Sequence, residues 1–224
     1  EGDIFLLDAG AETKMHYAGD LSSSMPVGEK FTERQRTIYE IHLASFWAAV
    51  DTLKVGVPFR DAHIAAATKI CEGMKSLGLM KGDPAEAARI GAYALFFPCG
   101  LGHMVGLDVH NMENLGEQYV GYLDGDKKST QFGFKSLRLA RPLEPGFVFT
   151  VEPGIYFIPE LMDKWEAEHQ FTDFINYDKL RPWRDFTGLR NELNYAVLAD
   201  GTVRLLGTLK KPMTIEEVYA AKEG

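Results

Sequence analysis

The stretch Gly100-Leu101-Gly102-His103-Met104-Val105-Gly106-Leu107-Asp108-Val109-His110 decides how the rest of the chain is read. It sets two histidines seven residues apart. Gly100, Gly102 and Gly106 permit close backbone approach, and Leu107-Asp108-Val109-His110 alternates like a strand. One imidazole is therefore expected inside a site and the other at its edge. Taken alone the motif describes ordinary loop or core histidines equally well. Acids elsewhere in the chain give it chemistry.

Four acids sit on strand-like runs or at their ends: Asp8, Asp20, Glu152 and Glu192. Asp3 to Ala9 reads as a buried strand, in which Asp8 follows the apolar run Ile4-Phe5-Leu6-Leu7, an unfavourable place for a carboxylate unless it is paired or binds a cation. A hairpin returning through His16-Tyr17-Ala18-Gly19 brings Asp20 towards it. Phe147-Val148-Phe149-Thr150-Val151 reads as a buried strand ending at Glu152-Pro153-Gly154, and Arg190 to Leu198 as another carrying Glu192. Like charges buried together raise one another's pKa, and desolvation adds to the cost. Two divalent ions remove that conflict. Oxygen-rich ligands with one imidazole, from His103, suit Mn or another first-row ion better than a thiolate-type zinc site. Two such ions share a hydroxide nucleophile and polarise a carbonyl.

Composition sets the frame. With 224 residues, 46% hydrophobic and 25% charged, the chain has the make-up of a soluble globular protein with one sizeable core. A net charge of -8 argues against a nucleic-acid backbone or an anionic membrane as main partner. Cys71 and Cys99 give no disulfide framework, and no apolar run reaches spanning length, so a cytoplasmic location is expected. The opening Glu1-Gly2-Asp3, without an initiator Met, suggests a piece of something longer.

The scaffold is mixed. Thr32-Glu33-Arg34-Gln35 is a capping box for a helix to about Lys54, with Tyr39, Leu43, Phe46, Val50 and Leu53 on one face. His42 beside that face reads as structural. A second helix spans about 60–77 and buries Ile64, Ala67, Cys71 and Met74, a short one spans 84–89, and 111–141 is a polar, Gly-rich excursion. Segment 160–187 reads as irregular and partly helical, and Thr214 with Glu217 caps a last helix.

Four motifs resemble the pita-bread metallopeptidases, and among them the catalytic domain of the prolidases, the Xaa-Pro dipeptidases. They are Asp8-Ala9-Gly10 with Asp20, Gly102 to His110, Thr150-Val151-Glu152-Pro153-Gly154-Ile155-Tyr156-Phe157, and Gly188-Leu189-Arg190-Asn191-Glu192. Their order and spacing hold over nearly the whole chain. The resemblance implies a single α+β pita-bread domain over 1–224, a curved antiparallel sheet covered by helices, with its first elements and a separate upstream domain missing. It implies that Asp8, Asp20, His103, Glu152 and Glu192 hold two divalent ions, Mn foremost with Co or Zn as alternatives, and that Asp20 and Glu192 bridge them. Glu152 is also the implied general base, His110 the group that contacts substrate and steadies the intermediate, and Arg190 a supporting residue. Lys135-Ser136-Leu137-Arg138 matches the prolidase segment that binds a dipeptide's carboxylate, which assigns that task to Arg138. The implied substrate is a short proline-containing peptide and the implied assembly a homodimer.

The chain departs from the family at several points. Cys99 stands where a His is usual, Ser22-Ser23-Ser24 replaces a threonine-rich run, and Asn191 replaces an apolar residue. Two alternatives follow: an aminopeptidase P, which removes the residue before proline from longer peptides, and a pita-bread module that binds peptides without hydrolysing them.

Overall fold

The computed structural model describes residues 2–207 and 210–223. It opens with the antiparallel hairpin β1 (Ile4–Glu12) and β2 (Ala18–Pro26). Helices α1 (Glu33–Thr52), α2 (Phe59–Ser76) and α3 (Pro84–Ile90) follow. The excursion after His110 holds two single turns, α4 (Glu113–Gly116) and α5 (Gln118–Gly121). Then come β3 (Val148–Val151), β4 (Gly154–Phe157), α6 (Pro159–Ala167), α7 (Tyr177–Leu180), β5 (Thr187–Arg190), β6 (Leu193–Val197), β7 (Val203–Leu205) and α8 (Ile215–Glu223). No described helix is long and apolar enough to cross a membrane.

Local chemistry explains the helix ends. Thr32 Oγ1 accepts from the Gln35 amide at 3.2 Å while Gln35 Oε1 accepts from the Thr32 amide at 2.9 Å, which closes the capping box at the head of α1. Asp83 caps α3 through the Glu86 amide, and Gly91, left-handed at φ 96°, ends it. Helices α1 and α2 approach closely at Gly73, where a Cβ would lie 2.4 Å from Ile41 Cγ2. Their inner faces, with Ile38, Tyr39, Phe46, Ile70 and Met74 buried, form the core with Phe149 and Val151 of β3.

All strand pairs are antiparallel: β1 with β2, β6 between β3 and β7, and β4 with β5. Val151 faces Leu193 and Gly154 faces Arg190. Glu152-Pro153 and Asn191-Glu192 therefore face one another where both ladders are interrupted. Pro153 has no amide hydrogen to donate, which suits it to this break. The interruption turns two short ladders into one bent surface and leaves Glu152 and Glu192 opposite each other at the bend.

Three sequence expectations need correction. Arg190 to Leu198 is two strands rather than one, because the chain changes ladder at Asn191-Glu192. Leu107 to His110 is a tight irregular loop, closed by Gly106 N to Asp108 O at 3.1 Å and Asn111 N to Met104 O at 3.0 Å. β1 is not buried: among the described residues it pairs only with β2, so Ile4 and Leu6 turn inward while Phe5 and Leu7 remain exposed.

Candidate metal centre

Hairpin register supplies the first two acids. Asp8 faces Ser22 and Gly10 faces Asp20, so Asp8 and Asp20 are diagonal neighbours on the inward face. Asp20 is buried, but the Asp8 side chain is 50% exposed at the rim, contrary to the buried position its apolar neighbours suggest.

His103 arrives on the segment after Gly100. This segment runs beside β3, with Val105 N to Val148 O at 3.0 Å, Thr150 N to His103 O at 3.0 Å and Glu152 N to Leu101 O at 2.7 Å. Gly102 is needed at the crossing, since a Cβ there would lie 2.1 Å from the Thr150 carbonyl oxygen. The result places His103 Nε2 3.2 Å from Glu152 Oε1 and 3.5 Å from Asp20 Oδ2. Thr150 Oγ1 donates to Glu152 Oε1 at 3.1 Å, and Ser22 Oγ donates to Glu192 Oε2 at 2.8 Å.

Three overlapping groups of donor atoms each fall within 4.8 Å: Asp20, His103 and His110; His103, Glu152 and Glu192; Asp8, Asp20 and Glu192. The four acids and the one imidazole singled out in the sequence thus meet in one place. Their chemistry fits a cation. His103 Nδ1 lies 3.1 Å from the Met104 carbonyl, and donating there leaves the Nε2 lone pair facing two carboxylates. Glu192 Oε1 is buried with no hydrogen-bond partner. Burial, and then repulsion from Glu152 and Asp20, pushes the Glu192 carboxyl up to about 8. For His103, burial pulls downward, but hydrogen bonding to Asp20 and Glu152 outweighs it and lifts the imidazole to about 10. Both shifts describe a site that takes up protons when no other cation is present.

Arg190 braces the rim. Its guanidinium pairs with Asp8, Nε bonds Ser22 Oγ at 3.0 Å, and Nε lies 4.0 Å from Glu152 Oε2. Ser22, in the serine run that departs from the family, thereby links Arg190 to Glu192.

A cavity of about 550 Å³ opens over this cluster, lined among others by Cys99, His103, His110, Arg138, Glu152 and Arg190. His110 packs edge-on against His103, ring centroids 4.3 Å apart. Cys99 is exposed and lines the cavity as a free cysteine. Arg138 reaches the same cavity but is engaged: Nη1 lies 2.6 Å from Glu117 Oε1 and Nη2 2.9 Å from Glu113 Oε1. Glu113 Oε2 also lies 2.9 Å from His110 Nδ1. Sequence reading missed Glu113 and Glu117; the three-residue step from His110 to Glu113 was the only local signal.

The bend, the clustered acids and the imidazole among them form a site that could hold divalent ions. The chain belongs to metallopeptidase family M24, whose pattern it matches over residues 1–220. Along its full length it is 39% identical to the Xaa-Pro dipeptidase of Mus musculus, of which it covers 43%. It is 34% identical over 213 residues to a probable Xaa-Pro aminopeptidase of Botryotinia fuckeliana, covering 95% of this chain and 44% of the relative. A structure of an Escherichia coli aminopeptidase P variant in complex with substrate superposes with a TM-score of 0.70 at 30% identity, over 99% of this chain and 42% of that one. The fold is the pita-bread fold, and the chain spans less than half the length of these relatives.

Proposed function

We propose that the chain is the catalytic domain of an Xaa-Pro dipeptidase. In this reading Asp8, Asp20, His103, Glu152 and Glu192 hold two divalent ions, Mn foremost, because the donors are oxygen-rich with one imidazole. When bound, the ions supply Lewis acidity and an activated water at neutral pH. Glu152, oriented by Thr150, accepts a proton and passes it to the proline nitrogen, which as a tertiary amide nitrogen departs only once protonated. His110 donates to the substrate carbonyl oxygen as charge builds there. Arg138 receives the dipeptide's carboxylate with its planar fork. Arg190 keeps Asp8 in place. The observation that carries this reading is that one cavity joins Glu152 and His103 to Arg138, a span suited to a short peptide with a free carboxylate.

Identity to Xaa-Pro dipeptidases supports this reading, while the engaged state of Arg138 favours a second, aminopeptidase P. Elemental analysis after Mn reconstitution, followed by cleavage of Ala-Pro, Ala-Pro-Ala and Ala-Pro-Ala-Ala, separates them. About two ions per chain, with cleavage confined to the dipeptide and weakened by Arg138→Ala, is the expected result. Cleavage indifferent to length and to Arg138 moves the assignment to aminopeptidase P. A folded sample that takes up no metal overturns both and leaves a peptide-binding module.

A further inference from the structure

Glu113 spans the two groups assigned to the substrate. Its Oε1 lies 2.9 Å from Arg138 Nη2 and its Oε2 2.9 Å from His110 Nδ1. A carboxylate bridging an arginine fork and an imidazole occupies the donors that a peptide's terminal carboxylate and carbonyl need. Glu117 touches the same guanidinium through Nη1, but the surroundings of the two acids differ.

Glu113 stands at the head of α4, a single turn that buries none of its residues. That turn follows one positive-φ residue, Met112 at φ 61°, and ends on another, Gly116 at φ 120°. A left-handed methionine is an uncommon, strained conformation, and few buried contacts resist a shift of this turn. Glu113's side chain is 44% exposed, so it has solvent to move into. Glu117 is held: its side chain is 17% exposed, Lys128 lies 3.6 Å from its second oxygen, and its carbonyl accepts from Val120 and Gly121. Gly121 packs directly on the Arg138 carbonyl, so Glu117 and Arg138 move as one unit.

We propose that Glu113 is an internal substrate mimic, a movable carboxylate that occupies Arg138 and His110 until a substrate carboxylate displaces it, while Glu117 is a fixed positioning residue for the Arg138 fork. The two acids then act with opposite sign on the recognition of a free carboxylate. Glu113 sets a threshold: a ligand that enters has to offset the contacts that Glu113 gives up. This rests on the reading of Arg138 and His110 as substrate contacts.

The test is calorimetric binding of L-proline and of L-prolinamide to the Mn-reconstituted chain, with Glu113→Gln and Glu117→Gln beside the wild type. Glu113→Gln is expected to tighten L-proline roughly fivefold, the scale of a partly exposed ion pair, and Glu117→Gln to weaken it by a similar factor. Prolinamide, which lacks the carboxylate, shifts far less in either variant. If both variants move L-proline in the same direction, or if Glu113→Gln leaves it unchanged, the mimic is overturned. Equal binding of proline and prolinamide to the wild type overturns it too, because Arg138 then holds no carboxylate. Turnover of Ala-Pro is measured in parallel: binding differences of the expected sign without cleavage support the mimic and sink only the dipeptidase assignment.

Discussion

Nε2 of His42, on helix α1, lies 2.8 Å from the Pro153 carbonyl oxygen and 3.2 Å from the backbone nitrogen of Asn191. In one tautomer it donates to Pro153, and in the other it accepts from Asn191. Either way, one buried ring touches both turns that interrupt the sheet, each next to a candidate metal ligand. Burial pulls this imidazole down to about 4, so it is neutral at physiological pH. His42 is structural, as its place beside the apolar face of α1 suggests, yet it supports the site from beneath.

His42→Ala is therefore expected to cost about 2–4 kcal/mol, from the cavity and the polar groups left without a partner. Metal affinity should fall with it, since Glu152 and Glu192 lose their common support. Urea unfolding with and without Mn measures both effects. A variant of full stability and full metal affinity would reduce His42 to core filling.

Metal uptake should release protons. At pH 7 the metal-free site holds a proton on His103, lifted to about 10, and one on Glu192, lifted to about 8. Both positions must be vacated before they ligate, so about two protons leave per chain loaded. Isothermal titration in buffers of differing ionisation enthalpy counts them. Release near zero would mean that these two groups are not ligands.

The same groups set how metal-free stability varies with pH. Folded values above the ordinary 4.5 for Glu192 and 6.5 for His103 mean that the native state binds more protons than the unfolded chain. Their contribution is present below those ordinary values and is lost as pH rises through about 8 and about 10. His42 and His63, pulled down by burial to about 4 and about 3, act oppositely and cost stability as pH falls from 6.5. Between pH 6.5 and about 8 the loss with rising pH remains, and above about 8 Lys211, pulled down by burial from 10.5 to about 8, offsets part of it. Thermal midpoints should fall between pH 6.5 and 8 in metal-free protein, fall less with Mn bound, and fall less in metal-free Glu192→Gln, whose amide resembles the protonated acid. A flat metal-free profile over that range contradicts the shifts.

Much of this arrangement was legible in the sequence. The capping boxes at Thr32 and Thr214 rest on contacts three residues apart, and both are formed. The gathering of Asp8, Asp20, His103, Glu152 and Glu192 was legible because an apolar strand does not carry a carboxylate without cause. Exposure of β1 was not, since four large apolar residues in a row do not say which face is covered. The engagement of Arg138 was hidden for a related reason: Glu113 and Glu117 lie in a polar excursion, and only the folded path brings them to a residue more than twenty positions on. The break at Asn191-Glu192 was masked by the strand-forming residues on both sides.

Asn191, which departs from the apolar residue usual in the family, has a physical role that a double-mutant cycle can isolate. Its side chain is buried, with Oδ1 3.0 Å from Lys211 Nζ and Nδ2 3.2 Å from the Tyr39 hydroxyl, which itself donates to the Met213 carbonyl at 2.9 Å. Among the described residues Lys211 has little else: the Glu192 carbonyl and Met213 Sδ, at 3.5 and 3.4 Å. Burial already pulls its ammonium down to about 8. Asn191→Ile removes the best acceptor from a half-buried cation and should destabilise by about 1–3 kcal/mol, the scale for leaving such a group without its partner. Lys211→Met alone leaves Asn191 Oδ1 with the Ser24 amide as donor, at 3.4 Å, and should cost about 1 kcal/mol. Together the two changes replace a buried polar pair by apolar groups of similar size, which is often close to neutral. The double variant should thus be more stable than Asn191→Ile, with a coupling of about 1–3 kcal/mol in urea unfolding. Simple additivity would show that Asn191 and Lys211 do not depend on each other, and that the departure at 191 is an isolated substitution.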